Sequence, residues 1–280
     1  MRFQMIFWLI FTHLPPSAKN VKTVNHRQNK QQQGIAQQKI AAHRGVSAHY
    51  PENTFSAFDA ARQASVHWIE TDVSMLEDET LIIFHDDRQG RTVSGDKLVA
   101  ESVWADFAAA DAGLWKGKAF AGQNVPTLAE LLVWQQQHDI GLNLEIKCHG
   151  GRQHRTAYQL SSVLTRTGTD DLIISSFDLQ FLSILRQLRP DLCLASIHDE
   201  PVQVTTLLTD KISIDAAHLN HRLIRSAEDV AAFHEKGLDV RVWTVNDADR
   251  AARLFGWGVD MVISDDPEQI RTAVTSLSFG

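Results

Sequence analysis

Cysteine is almost absent from this chain: Cys148 and Cys193 are the two in 280 residues, far apart and in no metal-ligand spacing. That excludes a disulfide framework and reads as reduced structural thiols. A surplus of positive charge is also missing. The formal net charge is −7, so neither nucleic acid nor an anionic membrane surface is an expected partner. Long apolar runs are lacking too. The run at 5–11, MIFWLIF, is far too short to span a bilayer, and the rest shows no amphipathic membrane helix, so no stable membrane insertion is expected.

The acid deficit is local. The first 39 residues carry Arg2, Lys19, Lys22, Arg27, Lys30 and Lys39 and no acidic residue, so the remainder is clearly acidic. The 5–11 run is short for the apolar region of a signal peptide, and Pro16-Ser17-Ala18 is a poor cleavage site. The Gln-rich basic stretch that follows is aperiodic. Residues 1–38 are therefore expected to be a disordered or degenerate signal-like extension, with a folded domain over 39–280. A cytoplasmic location follows, or a periplasmic or secreted one if 1–38 act as a signal.

From Lys39 onward, β-branched runs alternate with helical patterns, which is the signature of repeated βα units around a parallel sheet. The pattern predicts strands at 40–42, 67–73, 81–85, 141–147, 172–177, 192–197, 211–214, 239–245 and 260–264. It predicts helices at 54–65, 127–138, 154–167, 179–188, 226–236 and 248–256. Thr54 and Thr127 stand at N-cap positions and Gly237 at a C-cap. Nine strands exceed the eight of a barrel by one. Only SMLEDET separates the second from the third, too little for a crossover helix, so the third must fold back as a hairpin. The expected fold is α/β: a TIM (β/α)8 barrel with a hairpin after strand 2 and a small inserted segment at 86–123. The insertion is expected to pack over one end of the barrel through Trp104, Phe107, Leu114, Trp115 and Phe120.

Strand C-termini in such a barrel meet at one mouth, where active sites lie. His43 and Arg44 end the first strand. Glu70 and Asp72 are two apart on the second, and Glu145 and Lys147 two apart on the next, so each pair shares a face. Three carboxylates crowded together repel one another unless a cation intervenes. A hard divalent ion with oxygen ligands, Mg²⁺ or Ca²⁺, answers that need. The hairpin returns His85 to about the level of Asp72, so His43 and His85 can flank the ion. Each motif alone has a bland explanation: a solvated strand end, an ordinary ion pair, a turn, or, for Trp243, core packing. Their coincidence at one end of independently placed strands carries the functional reading.

These residues resemble the glycerophosphodiester phosphodiesterase family. The match is HRG…PENT at 43–54, ExD at 70–72, HDD…RT at 85–92, ExK at 145–147, SSF at 175–177 and WTVN at 243–246. It spans nearly the whole folded chain, and GLWKGKAFAGQNVPTLAELL and AAHLNHRLI are similar to the bacterial cytosolic-type enzymes in particular. The resemblance implies a barrel enzyme that hydrolyses glycerophosphodiesters, such as glycerophosphocholine and glycerophosphoethanolamine, to sn-glycerol 3-phosphate and an alcohol. It implies that Glu70, Asp72 and Glu145 ligate the metal, that His43 and His85 act as acid and base, and that Arg44 and Lys147 meet the phosphate. Attack by the glycerol 2-hydroxyl, through a cyclic phosphate, and direct attack by water both remain open. Phe177, Trp243 and the insertion aromatics are expected on the alcohol side of the pocket. The competing functions are a lysophospholipase D, which would need an acyl channel, and a catalytically dead binding module, which would lack one of the acids or histidines.

Overall fold

The computed structural model describes residues 39–167, 171–209 and 212–277. The extension expected at 1–38 lies outside the described residues. Eight parallel strands close into a barrel: β1 (Lys39–His43), β2 (Trp68–Met75), β4 (Gly141–Lys147), β5 (Leu172–Ser176), β6 (Cys193–His198), β9 (Ala216–Asn220), β10 (Asp239–Trp243) and β11 (Met261–Ser264). Closure is made by β1, which pairs in parallel with β11 on one side and β2 on the other. The ninth strand, β3 (Leu81–Ile83), folds back antiparallel on β2, with Met75 opposite Leu81 and Val73 opposite Ile83. One further bond, Phe84 N–H to the Asp72 carbonyl at 3.0 Å, continues that ladder and delivers His85 to the mouth.

The helices are α1 (Phe55–Gln63), α2 (Leu128–Gln136), α3 (Gln153–Thr167), α4 (Leu179–Leu188), α5 (Ala227–His234), α6 (Ala248–Gly256) and α7 (Pro267–Leu277). Thr54 Oγ1 accepts the Ala57 N–H and starts α1, which buries Ala57, Phe58, Ala60 and Ala61 against the barrel. Thr127 and Glu130 form a reciprocal capping box on α2, each side chain accepting the other's backbone N–H. Gly237 adopts φ 81° at the end of α5, where a left-handed residue stops the helix.

Three expectations need correction. The sixth barrel strand is not 211–214 but β9, at 216–220. Residues Leu208–Thr209 (β7) and Ile212–Ser213 (β8) form a small antiparallel hairpin outside the barrel. Among the described residues that connection also carries a 3-10 turn, Val204–Leu207, instead of an α-helix, so the βα alternation breaks there. The insertion's aromatic cluster divides. Phe107 is fully buried against Phe84, ring centroids 5.3 Å apart, in a satellite core with Leu76, Val93 and Val99. Leu114 and Trp115 are exposed, and Phe120 packs on Tyr50 instead.

The loop after β1 depends on two left-handed residues, Arg44 at φ 56° and Gly45 at φ 83°. A Cβ at Gly45 would lie 2.6 Å from Ala57 Cβ and 2.7 Å from the Ala57 carbonyl carbon. Gly45→Ala is therefore expected to cost roughly 1–3 kcal/mol. An unchanged midpoint in a denaturant titration would show that the loop has another way to close over α1.

Candidate active site

The side chains at the mouth converge because strands set them there two residues apart. His43 stands in register with Glu70, and Asp72 with Glu145. A cavity of about 150 Å³ opens between them, lined by His43, Arg44, Glu70, His85, Glu145, Lys147, Phe177 and Trp243. Asp72 sits just behind, 1% exposed. Oxygens of Glu70, Asp72 and Glu145 lie within 4.8 Å of one another. None of the insertion aromatics lines this cavity, against the expectation that they would; Phe177 and Trp243 do, with ring centroids 5.8 Å apart.

Electrostatics follow from burial. Burial raises the Glu70 carboxyl, and neighbouring Asp72 raises it further. Glu145 is raised for the same two reasons, in the same order. Burial also opposes ionisation of Asp72, but Lys147, Arg44 and His85 outweigh it and hold that group well below the usual carboxylate range. Lys147 Nζ contacts Glu145 and lies 3.1 Å from Asp72 Oδ1. Arg44 Nε is 3.2 Å from Asp72 Oδ2, while its Nη1 donates to Glu52 at 2.8 Å.

The three acids fit a hard divalent cation on two observations. The donor set is oxygen only. Asp72 Oδ1 is also buried without a hydrogen-bond partner, since Lys147 lies close but outside hydrogen-bond geometry. An orphaned anionic oxygen beside two carboxylates that resist ionisation is an arrangement a divalent ion completes.

Each histidine has its Nδ1 engaged by a carboxylate. His43 Nδ1 lies 2.6 Å from Asp265 Oδ1, and Asp265 is itself held by Ser47 Oγ at 2.9 Å and Asn246 Nδ2 at 2.6 Å. Burial pulls the His43 pKa down, but the Asp265 hydrogen bond and Glu70 outweigh it, so the ring is held above its ordinary value. His43 Nε2 lies 3.9 Å from Glu70 Oε2. His85 Nδ1 lies 2.7 Å from Asp86 Oδ1, and Arg91 bridges Asp86 and Glu52. Nε2 is therefore the nitrogen that each ring has left for proton exchange.

Sequence reasoning missed several partners. Asn53, at φ 59°, donates to Asp72 Oδ2 at 2.9 Å while its carbonyl oxygen accepts from Thr71 Oγ1 at 2.7 Å. The signal was an Asn in a Pro-Glu-Asn-Thr loop, a residue type that tolerates the left-handed region. Asp265 directly follows β11 in the chain, but its pairing with His43 bridges 222 residues and leaves no local trace. His218, 1% exposed on β9, lines the cavity floor beside Asn143.

The family model for the glycerophosphoryl diester phosphodiesterase family matches residues 43–269. The Bacillus subtilis protein YhdW is 31% identical over 240 residues, covering 82% of this chain and 96% of its own. A glycerophosphodiester phosphodiesterase of Caldanaerobacter subterraneus subsp. tengcongensis is 29% identical over 82% of this chain and 95% of its own. A solved phosphodiesterase of Oleispira antarctica, in complex with the product sn-glycerol-3-phosphate, superposes with a TM-score of 0.80 at 31% identity, over 85% of this chain and 96% of that one. Among the described residues, no helix is long and apolar enough to cross a membrane.

Proposed function

The chain belongs to the glycerophosphoryl diester phosphodiesterase family, whose members are phosphoric diester hydrolases, and from that premise we propose a metal-dependent hydrolysis of glycerophosphodiesters by paired histidines. The substrates are glycerophosphocholine, glycerophosphoethanolamine and their like. The products are sn-glycerol 3-phosphate and the free alcohol. The observation that carries this reading is one cavity lined by both His43 and His85, each with a carboxylate on Nδ1, beside three clustered acids.

Glu70, Asp72 and Glu145 would hold the cation, Mg²⁺ or Ca²⁺, which would supply Lewis-acid charge neutralisation. Arg44 presents a planar fork of donors to the phosphodiester anion, and Lys147 a point charge. His43 Nε2 accepts the proton of the attacking oxygen, either water directly or the glycerol 2-hydroxyl, whose cyclic phosphate water then opens, and the Asp265 carboxylate stabilises the imidazolium so formed. His85 Nε2 gives a proton to the departing alcohol oxygen, breaking the P–O bond without releasing an alkoxide. Phe177 and Trp243 line the side from which that alcohol leaves. The barrel domain over 39–280 carries all of these groups, and the segment at 86–123 supplies Arg91 to hold Asp86.

Incubating the purified protein with glycerophosphocholine and Mg²⁺, with sn-glycerol 3-phosphate release coupled to its dehydrogenase, tests the reading directly. No release with either headgroup would end it. Asp265→Asn keeps the shape but removes the charge behind His43. It is expected to lower kcat by roughly tenfold to a hundredfold with little change in KM, as for other carboxylates that orient a functional imidazole. An unchanged kcat would reduce Asp265 to a loop anchor.

A further inference from the structure

Below the charged mouth the barrel carries a second inward layer. Asn143 precedes Glu145 by two residues on β4, Ser175 precedes Phe177 by two, and His218 precedes Asn220 by two on β9, so each faces inward one step deeper. All three are buried, at 1%, 0% and 1% exposure. Asn143 Oδ1 and Ser175 Oγ have no hydrogen-bond partner among the described residues. His218 Nε2 lies 3.2 Å from Nη1 of Arg241, itself buried. A guanidinium only donates, so that nitrogen must accept and the ring proton must sit on Nδ1. Burial, Arg241 and His198 all keep the ring neutral. Deeper still the interior turns apolar, with Ile173, Ala195 and Ala216 packed on Trp68.

Buried polar groups left unpaired are costly, and here no protein group among the described residues meets them. Asn143 and His218 line the cavity, so whatever completes this layer arrives from the cavity side. The open end is flanked by Phe177, half-exposed. The variable alcohol of a diester belongs at that open end. The invariant half, glycerol, belongs at the closed one.

We infer that Asn143, Ser175 and His218 form a hydroxyl-recognising floor that receives the terminal hydroxymethyl group of the glycerol half of the substrate. The inference rests on the function proposed above and specifies its glycerol subsite. A hydroxyl both donates and accepts, so it answers an amide oxygen, a serine hydroxyl and an imidazole N–H together. A site built this way rejects an analogue without the hydroxyl, because its own polar groups then stay unpaired. Arg241 acts as a positioning residue that fixes the tautomer of His218.

The test is calorimetric titration of the full-length Mg²⁺-loaded protein with sn-glycerol 3-phosphate, with 2-hydroxyethyl phosphate, which lacks the hydroxymethyl group, and with inorganic phosphate. The wild type is expected to prefer sn-glycerol 3-phosphate over 2-hydroxyethyl phosphate by roughly tenfold, the worth of one to two buried hydrogen bonds. His218→Leu and, independently, Asn143→Leu are expected to bring that ratio close to one without altering affinity for inorganic phosphate. His218→Gln, whose carbonyl can accept from Arg241 while its amide donates, is expected to keep most of the preference. An intact preference in both leucine variants would mean that the floor holds water only, and would overturn the inference. So would parallel loss of inorganic phosphate, which would place the effect at the charged mouth. Binding needs no turnover, so failure of the functional reading would appear separately, as wild-type protein that does not hydrolyse glycerophosphocholine.

Discussion

His43→Ala and His85→Ala are each expected to lose at least about a hundredfold in turnover of glycerophosphocholine, the low end for a positioned acid or base. A phosphodiester linkage needs a proton removed from the attacking oxygen and another delivered to the departing one. Neither imidazole can substitute for the other, because Asp265 and Asp86 tie them to separate elements, the ends of β11 and β3. The loss is chemical, not structural. The two side chains are 19% and 33% exposed, and without His43 the Asp265 carboxylate still accepts from Ser47 and Asn246. Melting temperatures of both variants should therefore stay close to wild type. The double variant should fall little below the worse single one, since two members of one proton circuit do not add. Near-normal kcat in either single variant would refute the assignment, and a raised KM at constant kcat would leave that histidine a binding group.

The strand tips were legible because strand alternation and βα spacing are local properties. His43, Glu70, Asp72 and Glu145 could be placed at one mouth without coordinates. The sixth barrel strand was not legible. Lys211-Ile212-Ser213-Ile214 has the β-branched look of a strand, whereas β9 reads Ala-Ala-His-Leu-Asn, a weak strand former that the barrel context overrides. The same weak pattern hides His218, because nothing in Ala-Ala-His-Leu-Asn marks that position as barrel interior. The last helix, α7, also went unread, although Pro267 at its first position and Asp266 accepting the Gln269 N–H were the available signals. What sequence alone could not supply was pairing across the barrel: Asp265 with His43, Asn53 with Asp72, Arg241 with His218. Such contacts are fixed by closure, and closure joins segments far apart in the chain.

Chelation is expected to abolish hydrolysis, and added Mg²⁺ or Ca²⁺ to restore it. Glu70, Asp72 and Glu145 crowd three carboxylates within 4.8 Å, against Arg44 and Lys147 as fixed cations. Arg44 is shared with Glu52, so the cluster is short of positive charge before any phosphate arrives. An anionic substrate entering that cavity meets repulsion unless a divalent ion offsets it. Two readouts separate this from a general effect of chelator. A cation that binds the folded state alone raises the melting temperature with its concentration, as mass action requires, and that rise is expected here. Glu145→Gln should weaken that rise and lower kcat/KM by roughly tenfold to a thousandfold, as removal of one electrostatic stabiliser does. Substituting Glu130, a capping residue on α2 that does not line this cavity, should leave the cation response intact. Full activity in excess chelator would remove the ion from the chemistry and leave Lys147, already in contact with Glu145 and beside Asp72, as the cation that holds these acids together.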